Sequence, residues 1–505
     1  MELIGAIDQG TQSTRFCLYD ANAVPVASAQ LEFKQYYPHP GWCEHDPIEV
    51  WESIMVVVAQ CMERAKEALG TFEVKALGIT NQRETTLVWD RATGKPLHNA
   101  IVWLDTRTRE IAQRLSTQLG DKGYFRAVTG LPISTYFSGV KLRWLYENVP
   151  EVKAAVEAGT CMFGTMDSWI IYKLTGGVNG GEHVTDVTNA SRTLMMDLAS
   201  KQWHVPYLEI FGAKPAMMPE IRSNSEIYGK VKEGLLAGVP ICGCLGDQQA
   251  AMLGQRCVTG EAKNTYGTGC FMLLNTGNKI VPSSHGLLTT VAFQLGPEKA
   301  PQYALEGAIA IAGAVISWLR DQLGVLNTAD ESEAVARLVP DTSGVYFVPA
   351  FSGLLAPHWR DDARGIIVGL TTYSNRSHLV RAALEAICFQ SREVLDAMRK
   401  DANLDAVKGL KVDGGATKNN LLLQIQADLL GVPVLRPDNQ ETTALGAALA
   451  AGLAVKFWTE AQIFRSGSAK RDEFSPQVSR ADREARYAKW RKAVQRSLDL
   501  TDLVS

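Results

Sequence analysis

The chain has 505 residues, 46% of them hydrophobic and 21% charged, with a formal net charge of −3 and a pI near 6.3. That length exceeds what one hydrophobic core usually supports, so two domains of about 250 residues are expected. The mild acidity leaves no basic footprint for nucleic acid, no apolar run approaches the ~20 residues of a membrane-spanning helix, and nine cysteines without a C-x-x-C pair make neither a disulfide nor a zinc pattern.

In chain order, strands are predicted at Leu3–Ile7 and Thr14–Tyr19, joined through Asp8-Gln9-Gly10-Thr11-Gln12-Ser13. This hairpin offers backbone N–H groups, hydroxyls and the Arg15 guanidinium to a phosphate, with the Asp8 carboxylate beside them for a divalent metal. An ordinary β-turn has the same grammar, so the octapeptide alone leaves both open. Further strands are expected at Val24–Phe33, Val74–Thr80, Thr85–Trp89 and Ile241–Leu245. Asp46-Pro47-Ile48-Glu49 has the form of a capping box with proline at the first helical position. Trp51, Ile54, Met55, Val58 and Met62 then recur at helical spacing. A second helix is expected from Asp167 to Gly176.

Arg83 and Glu84 follow the strand ending at Thr80, where they suit a hydroxylated substrate, although without context a surface ion pair is the commoner use of such a pair. Tyr136-Phe137-Ser138-Gly139, with Lys141 and Trp144, is an aromatic turn entering a helix, and Trp144 is expected in the core. Gly246-Asp247-Gln248-Gln249 places a carboxylate at the exit of an apolar strand. There α/β sheets open their clefts, and there an aspartate also caps helices. A domain boundary is expected here, dividing the chain into 1–250 and 251–505. Cys242 and Cys244 are taken as buried thiols, and the absence of a signal-peptide pattern adds to the expectation of a reducing, cytoplasmic setting.

The second half repeats the early pattern. Asn264-Thr265-Tyr266-Gly267-Thr268-Gly269-Cys270 leads into Phe271-Met272-Leu273-Leu274, a second strand, Gly/Thr turn and strand. Two such hairpins suggest related domains gripping one nucleotide. A helix near 308–321, a strand Val345–Pro349, an amphipathic helix Ser377–Lys400 and a strand Leu410–Val412 follow. In Asp413-Gly414-Gly415-Ala416-Thr417-Lys418-Asn419-Asn420 the glycines permit close approach, and a helix N-terminus favours an anion. The stretch is not G-x-G-x-x-G, and no G-x-x-x-x-G-K-[ST] occurs anywhere. Glu441–Ala454 is rich in Ala and Gly, as close helix packing requires. The charged C-terminal tail has a helical pattern with Trp490 as its apolar contact.

Together these stretches resemble the FGGY carbohydrate kinases from Ile4 to about Ala454. One family signature matches Tyr136 through Asn148, and another matches Gly365-Ile366-Ile367-Val368-Gly369-Leu370 with the helix through Ser377 and Glu385. The resemblance implies an α/β, two-domain actin-like ATPase (ribonuclease H-like) fold with a duplicated core and an interdomain active-site cleft. Asn81–Thr86, Gly246–Gln249 and Asn264–Phe271 are similar to the glycerol-using branch of the family. That implies phosphorylation of glycerol by ATP with Mg²⁺ to sn-glycerol 3-phosphate, the first step of glycerol catabolism. By this resemblance Thr11, Gln12, Ser13 and Arg15 meet the nucleotide phosphates, and Thr268, Gly313, Ser317, Gly415 and Asn419 line the nucleotide site. Asp8 and Asp247 hold Mg²⁺. Arg83, Glu84, Tyr136, Asp247 and Gln248 bind glycerol, Trp103 and Phe271 cover its carbons, and Asp247 is the general base. Gln12 stands where many relatives carry a second Thr, and Ser317 where a nucleotide-contacting Gln is common. A pentulose is the alternative acceptor, and an ATP-driven protein switch the alternative class. A homo-oligomer, dimer or tetramer, is expected.

Overall fold

A computed structural model describes residues 1–405, 407–465 and 471–500. Strands β1 (Glu2–Gln9), β2 (Ser13–Tyr19) and β3 (Pro25–Glu32) form an antiparallel meander. Helix α1 (Pro47–Leu69) then carries the chain back to β4 (Glu73–Asn81), which lies parallel to β1. After a long excursion, β5 (Ser225–Lys230) and β6 (Pro240–Gly246) complete the sheet, with β6 parallel to β4 and β5 antiparallel at the edge. Helix α2 (Asp247–Gly254) leaves β6 and leads to a second sheet of the same plan. There β7 (Ala262–Tyr266), β8 (Cys270–Gly277) and, beyond edge strand β9 (Leu288–Phe293), β10 (Gln302–Ile309) make the meander. Helices α3 (Gly313–Asp321) and α4 (Arg376–Asp401) precede β11 (Leu410–Asp413), which pairs parallel to β7. Helix α5 (Asn420–Leu430) connects it to β12 (Val434–Pro437), parallel in turn to β11. With edge strands β5 and β9 set aside, both sheets run in the order third, second, first, fourth, fifth strand, the duplicated core that the resemblance implies, and Arg471–Phe474 adds a further antiparallel strand beyond β12.

Side chains alternate across β1. Ile4 and Ala6 join the cluster around α6 (Thr442–Ala454), whereas Leu3 and Ile7 pack with Ile54, Val57 and Val58 of α1. The small residues of α6 are there for contact. A Cβ on Gly254 would collide with the Thr442 carbonyl, one on Gly446 with that of Ala250, and one on Gly78 with that of Ala447. A helix from late in the chain thus lies directly on the first sheet and on α2.

Some sequence expectations are corrected. Asp46 caps α1, its carboxylate accepting Ile48 N–H at 2.7 Å, but Glu49 does not close a capping box and instead accepts the Tyr36 hydroxyl at 2.5 Å. The buried face of α1 runs through Val50, Ile54, Val57, Val58, Cys61 and Ala65, with Trp51, Met55 and Met62 only on its flank. The helix expected near 308–321 starts at Gly313, because β10 extends to Ile309. A short run of small apolar residues suits a buried strand as well as a helix. Helix α7 (Arg480–Arg496) docks through fully buried Trp490, stacked on Phe389 at 5.1 Å, and residues 501–505 of the predicted tail lie outside the described residues. All nine cysteines are buried and unpaired. Among the described residues no helix is long and apolar enough to cross a membrane.

Candidate active site

Three strand ends of the first sheet build the site. At the β1–β2 turn, Gly10 N–H donates to the Ser13 carbonyl at 2.9 Å, and Asp8 and Arg15 face each other across the ladder. Arg15 is braced by Gln30 at 2.8 Å, which also donates to the Ser13 hydroxyl at 2.8 Å, and it forms an ion pair with Glu441. The Thr11 hydroxyl accepts the Trp103 indole N–H at 2.9 Å, and Gln12 is exposed. Burial pushes the Asp8 carboxyl up to about 6; Arg15 opposes the shift and Asp247 adds to it.

At the end of β4, Arg83 and Glu84 are buried, at 2% and 1% exposure, which rules out the surface ion pair. Arg83 donates from Nη1 and Nη2 to the two Glu306 oxygens at 2.6 and 2.9 Å, and its Nε lies 3.1 Å from Asp247 Oδ1. Glu84 takes a left-handed backbone, φ 59°, and its Oε1 accepts Arg192 Nε at 2.6 Å. Arg192 reaches Glu306 as well, at 3.1 Å. Two guanidiniums and two carboxylates thus alternate in a desolvated network. Burial raises Glu306, but Arg192 and Arg83 outweigh it and leave it at about 2; Glu84 stays above its ordinary value because burial exceeds the pull of Arg83 and Arg192.

At the end of β6, Gly246 is the N-cap of α2 and Asp247 the first helical residue, with no side-chain cap bond. Asp247 Oδ1 accepts Gln248 N–H at 2.7 Å, and the side chain keeps 30% of its surface exposed. Its carboxylate therefore faces the opening rather than sealing the helix. Gln248 is buried, its Oε1 accepting the Lys263 ammonium, whose proton affinity burial lowers against the pull of Asp413 and Asp247.

An aromatic wall stands over these polar groups. Trp103 makes edge contacts with Tyr136 at 5.6 Å and Phe271 at 5.8 Å, and Arg83 lies 5.9 Å from the Phe271 ring. The Tyr136 turn is braced by buried Lys141, which donates to the carbonyls of Thr135 at 2.7 Å and Tyr136 at 2.5 Å. Burial, reinforced by Glu84, holds the Tyr136 phenol well above its ordinary value, so it stays protonated.

From the second sheet come the glycine turns. Thr268 tops the β7–β8 hairpin, and its carbonyl accepts Ala312 and Ala314 N–H at 2.9 and 3.1 Å, while Gly313 N–H donates to Gly267 at 3.0 Å. Gly414, at φ 93°, presses on Tyr266 at the same hairpin, and open space surrounds the position of a Cβ on Gly415. Asn419 caps α5 through Leu422 N–H at 2.9 Å, and Ser317 is half-buried on α3. Arg83, Glu84, Trp103, Tyr136, Asp247 and Phe271 thus form one constellation, with Asp8 and Thr11 linked to it; Thr268, Gly313 and Gly415 cluster on the facing sheet.

The profile of the FGGY family of carbohydrate kinases, N-terminal domain, matches residues 3–254, and that of the C-terminal domain matches residues 262–455. The chain belongs to the FGGY carbohydrate kinases. The glycerol kinase of Arabidopsis thaliana is 55% identical over 99% of this chain and 98% of its own length. That of Brucella anthropi is 55% identical over 98% of this chain and 99% of its own. A crystal structure of Plasmodium falciparum glycerol kinase with ADP superposes with a TM-score of 0.91 at 41% identity, covering 99% of this chain and 98% of that one. A xylulose kinase from Lactobacillus acidophilus shares the fold, at TM-score 0.84 and 22% identity over 98% of this chain and 97% of that one.

Two members of this FGGY kinase site escaped the sequence analysis, Glu306 and Arg192. Glu306 had a signal, a lone acid within the apolar, small-residue strand Gln302–Ile309, where an unpaired charge is untenable. Arg192 follows the buried helix Val187–Ala190 and had no comparable mark.

Proposed function

We propose that this FGGY kinase transfers the γ-phosphoryl group of ATP to a terminal hydroxyl of glycerol, giving sn-glycerol 3-phosphate and ADP. The observation that supports it most is the buried Arg83–Glu84 pair, locked by Glu306 and Arg192 beside the accessible Asp247 carboxylate and under the Trp103–Tyr136–Phe271 wall. A short polyol needs donors and acceptors for its hydroxyls and an apolar cover for its carbons, and a switch ATPase needs neither. Glycerol kinase relatives at 55% identity over nearly the whole chain support the same reading.

In this reading Arg83 donates to one hydroxyl, Glu84 accepts from another, Tyr136 and Gln248 complete the polar contacts, and Trp103 and Phe271 cover the carbons. Asp247 takes the proton of the attacking hydroxyl as its oxygen bonds to the γ-phosphorus, and the bond from that phosphorus to the β–γ bridging oxygen breaks, releasing ADP. Thr11, Gln12, Ser13 and Arg15 meet the phosphates from the first sheet. Thr268, Gly313, Ser317, Gly415 and Asn419 line the nucleotide from the second. The Asp8 carboxyl, raised by burial and by Asp247, marks a local deficit of positive charge that a divalent cation fits, so Asp8 and Asp247 are the residues to hold Mg²⁺. Bound there, Mg²⁺ would neutralise charge on the phosphates. In this reading 1–250 supplies most of the polyol and phosphate contacts and 251–505 most of the nucleotide contacts, with Phe271 and Glu306 reaching the polyol from the second half, and nine unpaired thiols fit a reducing cytoplasm.

Phosphoryl transfer followed as ADP formation tests the reading. A site built to hydrogen-bond several hydroxyls rejects acceptors that leave its groups unpaired. Glycerol should support turnover with Mg²⁺–ATP far better than xylulose or ribulose. Comparable kcat/KM for a pentulose would overturn the choice of acceptor, and ADP formation independent of any polyol would overturn the kinase assignment.

A further inference from the structure

One buried segment, Asp186–Arg192, fastens two of the three strand ends that carry the site, those of β4 and β6. Asp186 closes a short strand, Val184–Asp186, and caps the helix Val187–Ala190. Its carboxylate accepts Thr188 N–H at 2.6 Å, Asn189 N–H at 3.2 Å, Asn189 Nδ2 at 2.6 Å, Asn224 Nδ2 at 2.8 Å and the Thr188 hydroxyl. Asp167 and Cys244 stand close enough that three ligand atoms lie within 4.8 Å of one another. The Asp186 oxygens are nonetheless filled by these donors, so the cluster is an anchor of hydrogen bonds.

From that anchor two separable links run to the site. The Thr188 hydroxyl, its own proton committed to Asp186, accepts Gly246 N–H at 2.8 Å. Gly246 is the N-cap immediately before Asp247. Asn189 exchanges two hydrogen bonds with Asn81 at 2.9 and 3.0 Å, and Asn81 also donates to the Gln82 carbonyl at 2.8 Å. Arg83 and Glu84 follow directly. Asn81 and Gly246 are in register on the neighbouring parallel strands β4 and β6. Thr188, Asn189, Asn81 and Glu84 are all fully buried, so water does not replace a lost bond.

We infer that Thr188 and Asn189 are positioning residues with divided tasks: Thr188 places Asp247 for proton transfer, and Asn189 places the Arg83–Glu84 clamp for glycerol. This rests on the glycerol kinase reading above. Thr188 reaches the site through the backbone of the residue before the base and makes no hydrogen bond to the clamp. A small misplacement of a general base lowers the rate of the chemical step without removing a ground-state contact. Asn189 reaches the site through the residues that precede the clamp, so its loss weakens polyol binding first.

Steady-state kcat and glycerol KM at saturating Mg²⁺–ATP test the division. Thr188→Val keeps the shape and removes the acceptor, and kcat should fall roughly tenfold with glycerol KM within about twofold. Thr188→Ser, which keeps the hydroxyl, should restore kcat. Asn189→Ala should raise glycerol KM roughly tenfold with kcat within about twofold. If Thr188→Val does not fold, Thr188→Cys, a weaker acceptor, carries the same expectation. Equal losses in the same parameter for both residues, no rescue by Ser, or lower melting temperatures with wild-type kcat and KM would each overturn the inference. Failure of the wild-type protein to form ADP in response to glycerol would instead overturn the reading on which it rests.

Discussion

Glu306→Gln is the perturbation that most directly tests the buried ion network. Glu306 accepts both Arg83 Nη atoms and one from Arg192. A carboxyl that titrates at about 2 rather than its ordinary 4.5 is more stable as an anion in the folded chain by about 3 kcal/mol. Removing one partner of a buried pair costs about 3–5 kcal/mol, so two routes agree on the scale. Because the folded-state affinity for a proton is depressed, this stabilisation is present in full above pH 4.5 and fades as pH falls toward 2. The gap in unfolding free energy between wild type and variant should be about 3 kcal/mol near neutral pH and roughly half of that near about pH 3. Urea unfolding at both pH values measures it. The variant also frees the Arg83 guanidinium from its bidentate hold, so glycerol KM should rise by roughly tenfold or more. A gap under about 1 kcal/mol at neutral pH, the range of an exposed ion pair, would refute the reasoning, as would one that does not shrink in acid.

Two further substitutions follow from the geometry. Asp247→Asn should lower kcat by on the order of 10²–10⁴-fold while glycerol still binds, because the amide can hydrogen-bond the hydroxyl but takes no proton; near-wild-type kcat would end the general-base assignment. Loss of a helix cap adds nothing to any fall in its melting temperature, since Gly246 and not Asp247 caps α2, and what the amide weakens is the 3.1 Å contact with Arg83 Nε. Gly446→Ala drives a methyl group into the Ala250 carbonyl where α6 crosses α2. Overpacking of this kind costs about 1–3 kcal/mol, and an unchanged melting temperature would mean that the crossing gives way more easily than its packing indicates.

Much of the fold was legible in the chain because local grammar marked it. Gly10 and Gly267 each sit between an apolar strand and its partner, and both mark the hairpins of the two sheets. Asp46-Pro47 marked the start of α1. The face of α1 was not legible, since Trp51, Met55 and Met62 are as apolar as the residues that are buried and only the position of the sheet decides between them. The end of β10 was lost for the same reason: the run around Ile309 carries no period that separates strand from helix.

The site divides along the same line. Asp8, Arg83, Glu84 and Asp247 stand at strand ends, where chain direction alone exposes a side chain to a cleft, and they were found there. Their counter-ions are far away in sequence, 223 residues from Arg83 to Glu306 and 108 from Glu84 to Arg192, so no spacing rule reaches them. What did mark Glu306 was a contradiction, an acid inside a strand with no room for water. Lys263 makes the same statement within Ala262–Tyr266 and binds Gln248 beside Asp247, and Asp186 makes it in Val184–Asp186 and anchors the segment behind the ends of β4 and β6. Burying a charge without a partner costs far more than any local propensity contributes. Each such residue therefore implies a partner brought in by the fold, and for Glu306, Lys263 and Asp186 those partners lie in the candidate site or directly behind it.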